Sequence, residues 1–283
     1  MPDAARPRRR AAAASRLGTV AALIAVLLLQ PDPGAGAQTV PRAAPRCDRA
    51  AFKVVVDVGH TAEVPGAISA RGISEYEFNL RLARELVQQL TAAGFAATTL
   101  LVTEGEVARG LVQRVSRANR AGANLFLSIH HDAVPEHFLE DWEFEGQPYR
   151  FSDRFKGHSL FVSYDNPQSR ASLAFARLLG QQLKNRGLQY TPHYTEPFMG
   201  SRRRELLDKN AGVYRYDRLH VLRGTHMPAV LLEAGVIKNR EEELLLAAPE
   251  HRALLVAAAV EAIESFCAQR APVRTAPARA ARP

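Results

Sequence analysis

The 283-residue chain reads as one α/β domain: a largely parallel, twisted sheet of about five to six strands with helices on both faces. Three observations predict this. Short apolar, β-branched runs alternate with amphipathic stretches of helical length. Glycines punctuate the ends of those stretches. Three of the runs, Val54–His60, Leu125–Asp132 and Ala229–Gly235, finish on side chains that bind metals or move protons, namely His60, His130 and Glu233. In an open α/β sheet, ligands bind outside the carboxyl ends of the strands, so three such ends point to one site. Two histidines and a carboxylate form a common zinc set, and the first reading is a zinc hydrolase.

The elements follow in order. The first strand is predicted over 52–58. A Gly-rich loop with Gly59, Gly66 and Gly72 leads to Ser74, an N-cap whose capping box is completed by Glu77. The helix it opens repeats Phe78, Leu82, Leu86 and Leu90 on one face and stops at Gly94. A strand over 95–102 and a helix over 106–121, ended by Gly122, come next. Strands over 124–130 and 159–164 follow, then a helix over 169–186 closed by Gly187. The last strand spans 229–233, with helices near 240–246 and 249–267 behind it. Two segments resist this scheme. Residues 133–157 are acidic and aromatic; residues 188–220 are polar and rich in Arg, Pro and Tyr. Both are long for connections in a compact domain, and such loops are often functional.

The ends differ in composition from the body. Arg6, Arg8, Arg9, Arg10 and Arg16 precede an apolar run from Leu17 to Leu29 and the small-residue site Ala35-Gly36-Ala37. That layout predicts a secretory signal peptide over 1–37, cleaved after about Ala37, and hence an exported, periplasmic protein. The run is shorter than the ~20 residues of a membrane span, so no stable span is expected after cleavage; the alternative is an uncleaved anchor. Residues 38–49 read as a short tether and 269–283 as a disordered basic tail. The formal charge of +8 sits mostly in these ends and leaves the body near neutral, so it gives no reason to expect a nucleic-acid partner. Cys47 and Cys267 bracket the body. Export permits a disulfide between them, although sequence alone does not bring their Cα atoms within reach.

Glu75 is a fourth candidate. It opens the helix just after the loop that follows His60, where a carboxylate can turn back toward the sheet edge. Acids also favour first helical turns for electrostatic reasons alone, and Glu77 has a structural role in the capping box, so the residues by themselves leave Glu75 open.

The motifs, taken together, resemble the zinc-dependent N-acetylmuramoyl-L-alanine amidases of cell separation. The resemblance rests on Asp57-Val58-Gly59-His60, on Gly72-Ile73-Ser74-Glu75 with Asn79, and on Arg114 with Ala118-Asn119. It continues through Ser128-Ile129-His130, Val221-Leu222-Arg223, Met227 to Leu231 and Glu233-Ala234-Gly235, with Asn239 after them. They occur in this order across about 52–265, and the resemblance implies a catalytic domain over 50–268.

The resemblance implies that His60, Glu75 and His130 bind one Zn2+ and that Glu233 is the catalytic carboxylate. It implies hydrolysis of the amide between N-acetylmuramic acid and L-alanine, with peptidoglycan as partner and an activator protein as a further candidate partner. Arg223 and Asn79 are candidate substrate-binding residues. Thr61-Ala62 departs from the usual pair of glycines, and His131-Asp132 stands where smaller residues are usual. His131 competes as a ligand, though strand alternation points it away. His137, His158, His193, His220, His226 and His251 read as surface or hydrogen-bonded residues, with His193 and His226 as candidates to line the cleft. Some relatives carry an inhibitory helix comparable to 133–157. Glu136, Glu140, Glu143 or Glu145 would then block the metal; the reading preferred here is a cleft wall around Trp142, Phe144 and Tyr149. Two other functions compete: a zinc peptidase or deacylase on another substrate, and a non-catalytic wall-binding or regulatory module.

Overall fold

The computed structural model describes residues 47–270. The expected signal peptide, most of the expected tether and the tail beyond Arg270 lie outside the described residues. Among the described residues, no helix is long and apolar enough to cross a membrane.

Strand β1 (Val54–Val58) is fully buried along its length. Such an unbroken β-branched run suits a strand covered on both faces, and each buried valine contributes about 1.5–3 kcal/mol. Helix α1 (Glu75–Ala92) starts at Ser74, whose side chain accepts the Glu77 amide, as the capping box predicts. Strand β2 (Thr98–Leu101) and helix α2 (Val107–Ala121) follow, and Gly122 ends α2 in the left-handed conformation at φ 57°. Strand β3 (Leu125–Asp132) then runs parallel to β1.

Segment 133–157 departs from any helical expectation. It folds as an antiparallel hairpin of β4 (Glu140–Phe144) and β5 (Gln147–Phe151), with Glu145-Gly146 at positive φ in the turn. After β6 (Ser159–Val162) and α3 (Ser169–Asn185), the polar segment 188–220 supplies two strands that its composition conceals, β7 (Glu205–Asp208) and β8 (Val213–Arg215). The main sheet therefore has seven strands, more than expected. Helix α4 (His220–Gly224) leads to β9 (Ala229–Val236), and α5 (Arg240–Ala247) and α6 (Pro249–Arg270) close the body. Helix α6 runs two residues into the segment expected to be tail.

The sheet order is β2-β1-β3-β9-β6-β8-β7. Strands β2, β1, β3 and β9 are parallel, and β6 pairs antiparallel with β9. One face carries Val54, Val56, Leu127, Val230 and Leu160 against α1, α3 and α6. The other carries Val55, Phe126, Leu231 and Phe161 in a second cluster with Leu222 and Tyr214. The last strand to form in sequence, β9, is inserted beside β3, which puts the carboxyl ends of β1, β3 and β9 side by side.

Cys47 and Cys267 form a disulfide, with Cα atoms 5.1 Å apart and 220 residues between them. Arg49 adds a bond to the Ala93 carbonyl and an ion pair with Glu264. The end of the expected tether is thus fastened to the body. Closing so long a loop restricts the unfolded chain, and the chain-entropy relation puts the effect near 5 kcal/mol. Cys47→Ala is expected to lower unfolding stability by about 3–5 kcal/mol in urea titration, while leaving the residues at the far edge of the sheet in place.

Candidate metal centre

Strand pairing sets the site's frame. Asp57 is level with Ser128, and His130 is level with Glu233. Level residues on neighbouring parallel strands project from the same face, so His130 and Glu233 rise together. His60 follows β1 after Gly59, and α1 brings Glu75 over the same edge.

The nitrogen and oxygen donors of His60, Glu75 and His130 lie within 4.8 Å of one another. Glu75 sits between the imidazoles: Oε2 is 3.1 Å from His60 Nε2, and Oε1 is 2.9 Å from His130 Nδ1. Burial alone would raise the Glu75 carboxyl, but the bonds from His130 and His60 hold it well below the ordinary carboxylate range. Three convergent donors, two imidazoles and an ionised carboxylate, are a set that would suit a zinc ion.

A buried network shapes the donor cluster from below. His60 adopts φ 65°, a left-handed conformation uncommon for a non-glycine residue. Its carbonyl accepts a bond from Arg114 Nη2. Arg114 is held in turn by Thr103 Oγ1 at 3.0 Å and by Asp57 at 3.4 Å, and Asp57 also accepts from Ser128 Oγ at 2.7 Å. The Asp57 and Arg114 of the sequence motifs are therefore the brace for the turn that presents His60. Gly59 has a separate reason to be glycine. A Cβ there would lie 2.4 Å from the His130 ring, far inside van der Waals contact. Gly59→Ala is expected to displace His130 and weaken zinc binding by roughly 10–100-fold, as loss of a ligand's support does; chelator competition measures it.

Glu233 Oε2 is buried without a hydrogen-bond partner. Burial, then the nearby Asp132 and Glu75 carboxylates, push its carboxyl well above the ordinary range, with Arg202 opposing them. A carboxylate so placed has a raised affinity for a proton, which suits general-base work. Asp132 is itself raised to about 7 by burial and receives the Tyr194 hydroxyl on both oxygens, at 2.9 and 2.8 Å.

The structure disperses the remaining candidates. His131 points to the α1 face, where Nδ1 lies 2.7 Å from Asn79 Oδ1 and the ring packs on Phe78. Asn79 is fully buried. Its amide donates to Gly59 O at 3.2 Å and to Glu75 Oε1 at 3.3 Å, so it props the donor cluster from beneath and has no surface to offer a substrate. Arg223 is exposed on α4 at the opposite edge of the sheet. Neighbouring Gly224 is bonded to Asn119 at the end of α2, and β9 must run about 13 Å from Ala229 before reaching Glu233. His226 shares that far edge through its amide bond to Asn119. His193 does reach the site's flank, with Nε2 3.7 Å from Asp132 Oδ2. The arginine that faces the carboxylates is Arg202, bonded to the Ala133 carbonyl at 3.3 Å. Nothing in its local sequence distinguished it from the other arginines of 188–220.

The hairpin braces the loop before Glu75. Trp142 Nε1 donates to the Ala70 carbonyl at 2.9 Å, and the Tyr149 ring fills the space beside Gly72. Glu136, Glu140, Glu143 and Glu145 are exposed, Glu136 is paired with Arg150, and among the described residues none joins the donor cluster.

Behind the site, Gly235 lets α5 approach; a Cβ there would meet Glu242 Oε1 and Leu246 at 3.0 Å. Glu242 accepts the Gly157 and Val236 amides, yet burial raises its carboxyl from 4.5 to about 7. Between those values the folded chain holds a proton that the unfolded chain has released, so this group's contribution to stability falls as pH rises. Glu242→Gln keeps the acceptor oxygen and removes the titration. Its stability relative to wild type is expected to grow from pH 5 to pH 8 by at most about 3 kcal/mol. Burial lowers His158 and His193 to about 4; both titrate alike in the two proteins and cancel in this difference.

The N-acetylmuramoyl-L-alanine amidase family model matches residues 54–265. The endolysin of Bacillus phage SPP1 is 29% identical over 193 residues, covering 68% of this chain and 58% of the endolysin. The amidase AmiA of Escherichia coli (strain K12) is 26% identical over 226 residues, 75% of each protein. The chain thus spans a little over half of the first relative and three quarters of the other. Among solved structures, the amidase Ami1 from Mycobacterium smegmatis superposes with TM-score 0.59 at 20% identity, covering 78% of this chain and 98% of that one. Spanning the whole sheet and every residue of the donor cluster, the family match shows that this chain belongs to the N-acetylmuramoyl-L-alanine amidase family.

Proposed function

We propose that the protein is an exported, zinc-dependent amidase that hydrolyses the bond between N-acetylmuramic acid and the L-alanine of the peptidoglycan stem peptide. The observation that carries this reading is the convergence of His60, Glu75 and His130 donors within 4.8 Å, beside a strand that presents Glu233 level with His130. A non-catalytic wall-binding module has no use for a carboxylate whose buried Oε2 lacks a partner next to such a cluster.

Zinc held by His60, Glu75 and His130 would polarise the scissile carbonyl and acidify water. Glu233 takes a proton from the water that adds to the lactyl carbonyl carbon. It returns that proton to the nitrogen of L-alanine as the C–N bond breaks, leaving a lactyl carboxylate and a free peptide amine. Asn79, Arg114 and Gly59 hold the ligands in place throughout. The β4–β5 hairpin acts as a cleft wall, consistent with its aromatic contacts to the loop before Glu75 and its outward-facing glutamates. The test is mass analysis of products from a soluble muramyl peptide. The expected products are the intact sugar and the intact stem peptide with a free L-alanine amine. Cleavage within the peptide would favour the peptidase alternative.

A further inference from the structure

When water adds to an amide, negative charge collects on the carbonyl oxygen, and donors already fixed where that charge develops lower the barrier. The edge beside Glu233 is short of such donors. Asp132 and Glu233 are carboxylates and oppose a further negative charge. The Tyr194 hydroxyl is spent on both Asp132 oxygens. Tyr194, His193 and Asn79 are 5%, 3% and 0% exposed, so none has polar surface to offer a substrate.

Arg202 is different. It is half-buried, and its charge acts on both Asp132 and Glu233. Its Nη2 donates to the carbonyl of Ala133, the residue after β3, at 3.3 Å. A guanidinium carries five N–H donors. Among the described residues Arg202 makes that one hydrogen bond and no ion pair, so most of its donors are unspent. The backbone beneath it is fixed. Met199 is buried, the Arg204 amide bonds the Tyr194 carbonyl at 2.7 Å, and Tyr194 is tied to Asp132. Gly200, at φ 53°, breaks the 3₁₀ stretch Pro197–Arg202 and turns its last residue aside from the helical path. The next two arginines are engaged elsewhere: Arg203 Nε bonds the Thr195 carbonyl at 2.7 Å, and Arg204 lies over the Tyr216 ring at 3.7 Å.

We propose that Arg202 is a second catalytic residue, whose guanidinium donates to the carbonyl oxygen of the scissile amide as negative charge develops there. The proposal rests on the amidase reading. The charge appears as the water oxygen bonds the carbonyl carbon and is withdrawn as the C–N bond breaks. Glu233 carries the proton between those steps, and Arg202 exchanges none. It therefore holds the oxygen more tightly midway than in the substrate.

The test compares wild type, Arg202→Met and Arg202→Lys on a soluble muramyl peptide, with metal content and melting temperature read on each. Calorimetry measures binding of a phosphinate analogue, in which tetrahedral phosphorus replaces the scissile carbonyl carbon, and of the free stem peptide. Arg202→Met is expected to lose about 10²–10³-fold in kcat, with KM within a few fold and zinc content unchanged. Its affinity for the phosphinate falls by a similar factor, while its affinity for the stem peptide is unchanged. A merely structural role would not give that split. Arg202→Lys keeps a point charge without the fork and is expected to fall about tenfold below wild type; it decides the matter if Arg202→Met loses zinc or its fold. Wild-type kcat in the variants, a loss confined to KM, or equal weakening of both ligands overturns the role of Arg202. A wild type that cleaves no muramyl peptide instead overturns the amidase reading.

Discussion

Glu233→Gln is expected to retain zinc and lose turnover by about 10³-fold or more. The change preserves size and the β9 backbone, so the donor cluster of His60, Glu75 and His130 is undisturbed. A glutamine cannot accept the proton that the attacking water must give up. The native carboxylate suits that role because burial, Asp132 and Glu75 all raise its proton affinity. Steady-state kinetics on a muramyl peptide, together with metal analysis of the same sample, reads both halves of the expectation. A variant that still turns over within a few fold of wild type would remove Glu233 from the reaction.

His60→Ala is expected to fail in the other order: metal is lost first, and activity falls to background as a consequence. His60 supplies one of three converging donors and sits in a left-handed turn braced by Arg114, so no neighbouring side chain can take its place. A ligand that binds only the folded protein stabilises it in proportion to RT ln(1 + [L]/Kd). Added zinc should therefore raise the melting temperature of wild type and of Glu233→Gln, and leave that of His60→Ala unmoved. The same zinc-induced shift in all three proteins would mean that the metal binds elsewhere.

The parts of the site legible in the sequence are those set by local pattern. His60, His130 and Glu233 end apolar β-branched runs, and parallel strands with such ends share one edge. The Ser74 cap located the start of α1 and with it Glu75, though a first-turn acid has two explanations and the family motif was needed to choose. What depends on pairing across the chain was hidden. Strands β7 and β8 are short and come from a polar segment at the sheet's margin, where only Val213 and Tyr214 of β8 enter the core and β7 forms the edge. Arg223, a substrate-binding candidate from the motif alone, lies exposed on α4 before β9 begins, and strand direction puts it at the far edge from Glu233. Arg202, from a segment without periodicity, reaches the carboxylates through the fold of 188–220. Asn79 illustrates a subtler limit: its position in the motif marks it as important, but only its burial under Gly59 and Glu75 shows that it supports the ligands.

Arg114 and Asp57 show how the unusual backbone of His60 is maintained. A left-handed non-glycine residue costs on the order of 1–3 kcal/mol, and here it is offset by a buried guanidinium bonded to the carbonyl of that same residue. Thr61, in place of a family glycine, adds a bond to the Gly105 carbonyl at 2.9 Å, which stiffens the loop on its outer side.

The central claim is a metal-dependent amide hydrolysis centred on His60, Glu75, His130 and Glu233. The most direct measurement is digestion of purified sacculi by the purified protein, with chelator and with zinc restored, followed by mass analysis of the soluble products. The account predicts intact stem peptides released from intact glycan, abolished by chelator and recovered with zinc. Products cut within the glycan or within the peptide, or release that persists after chelation, would contradict it.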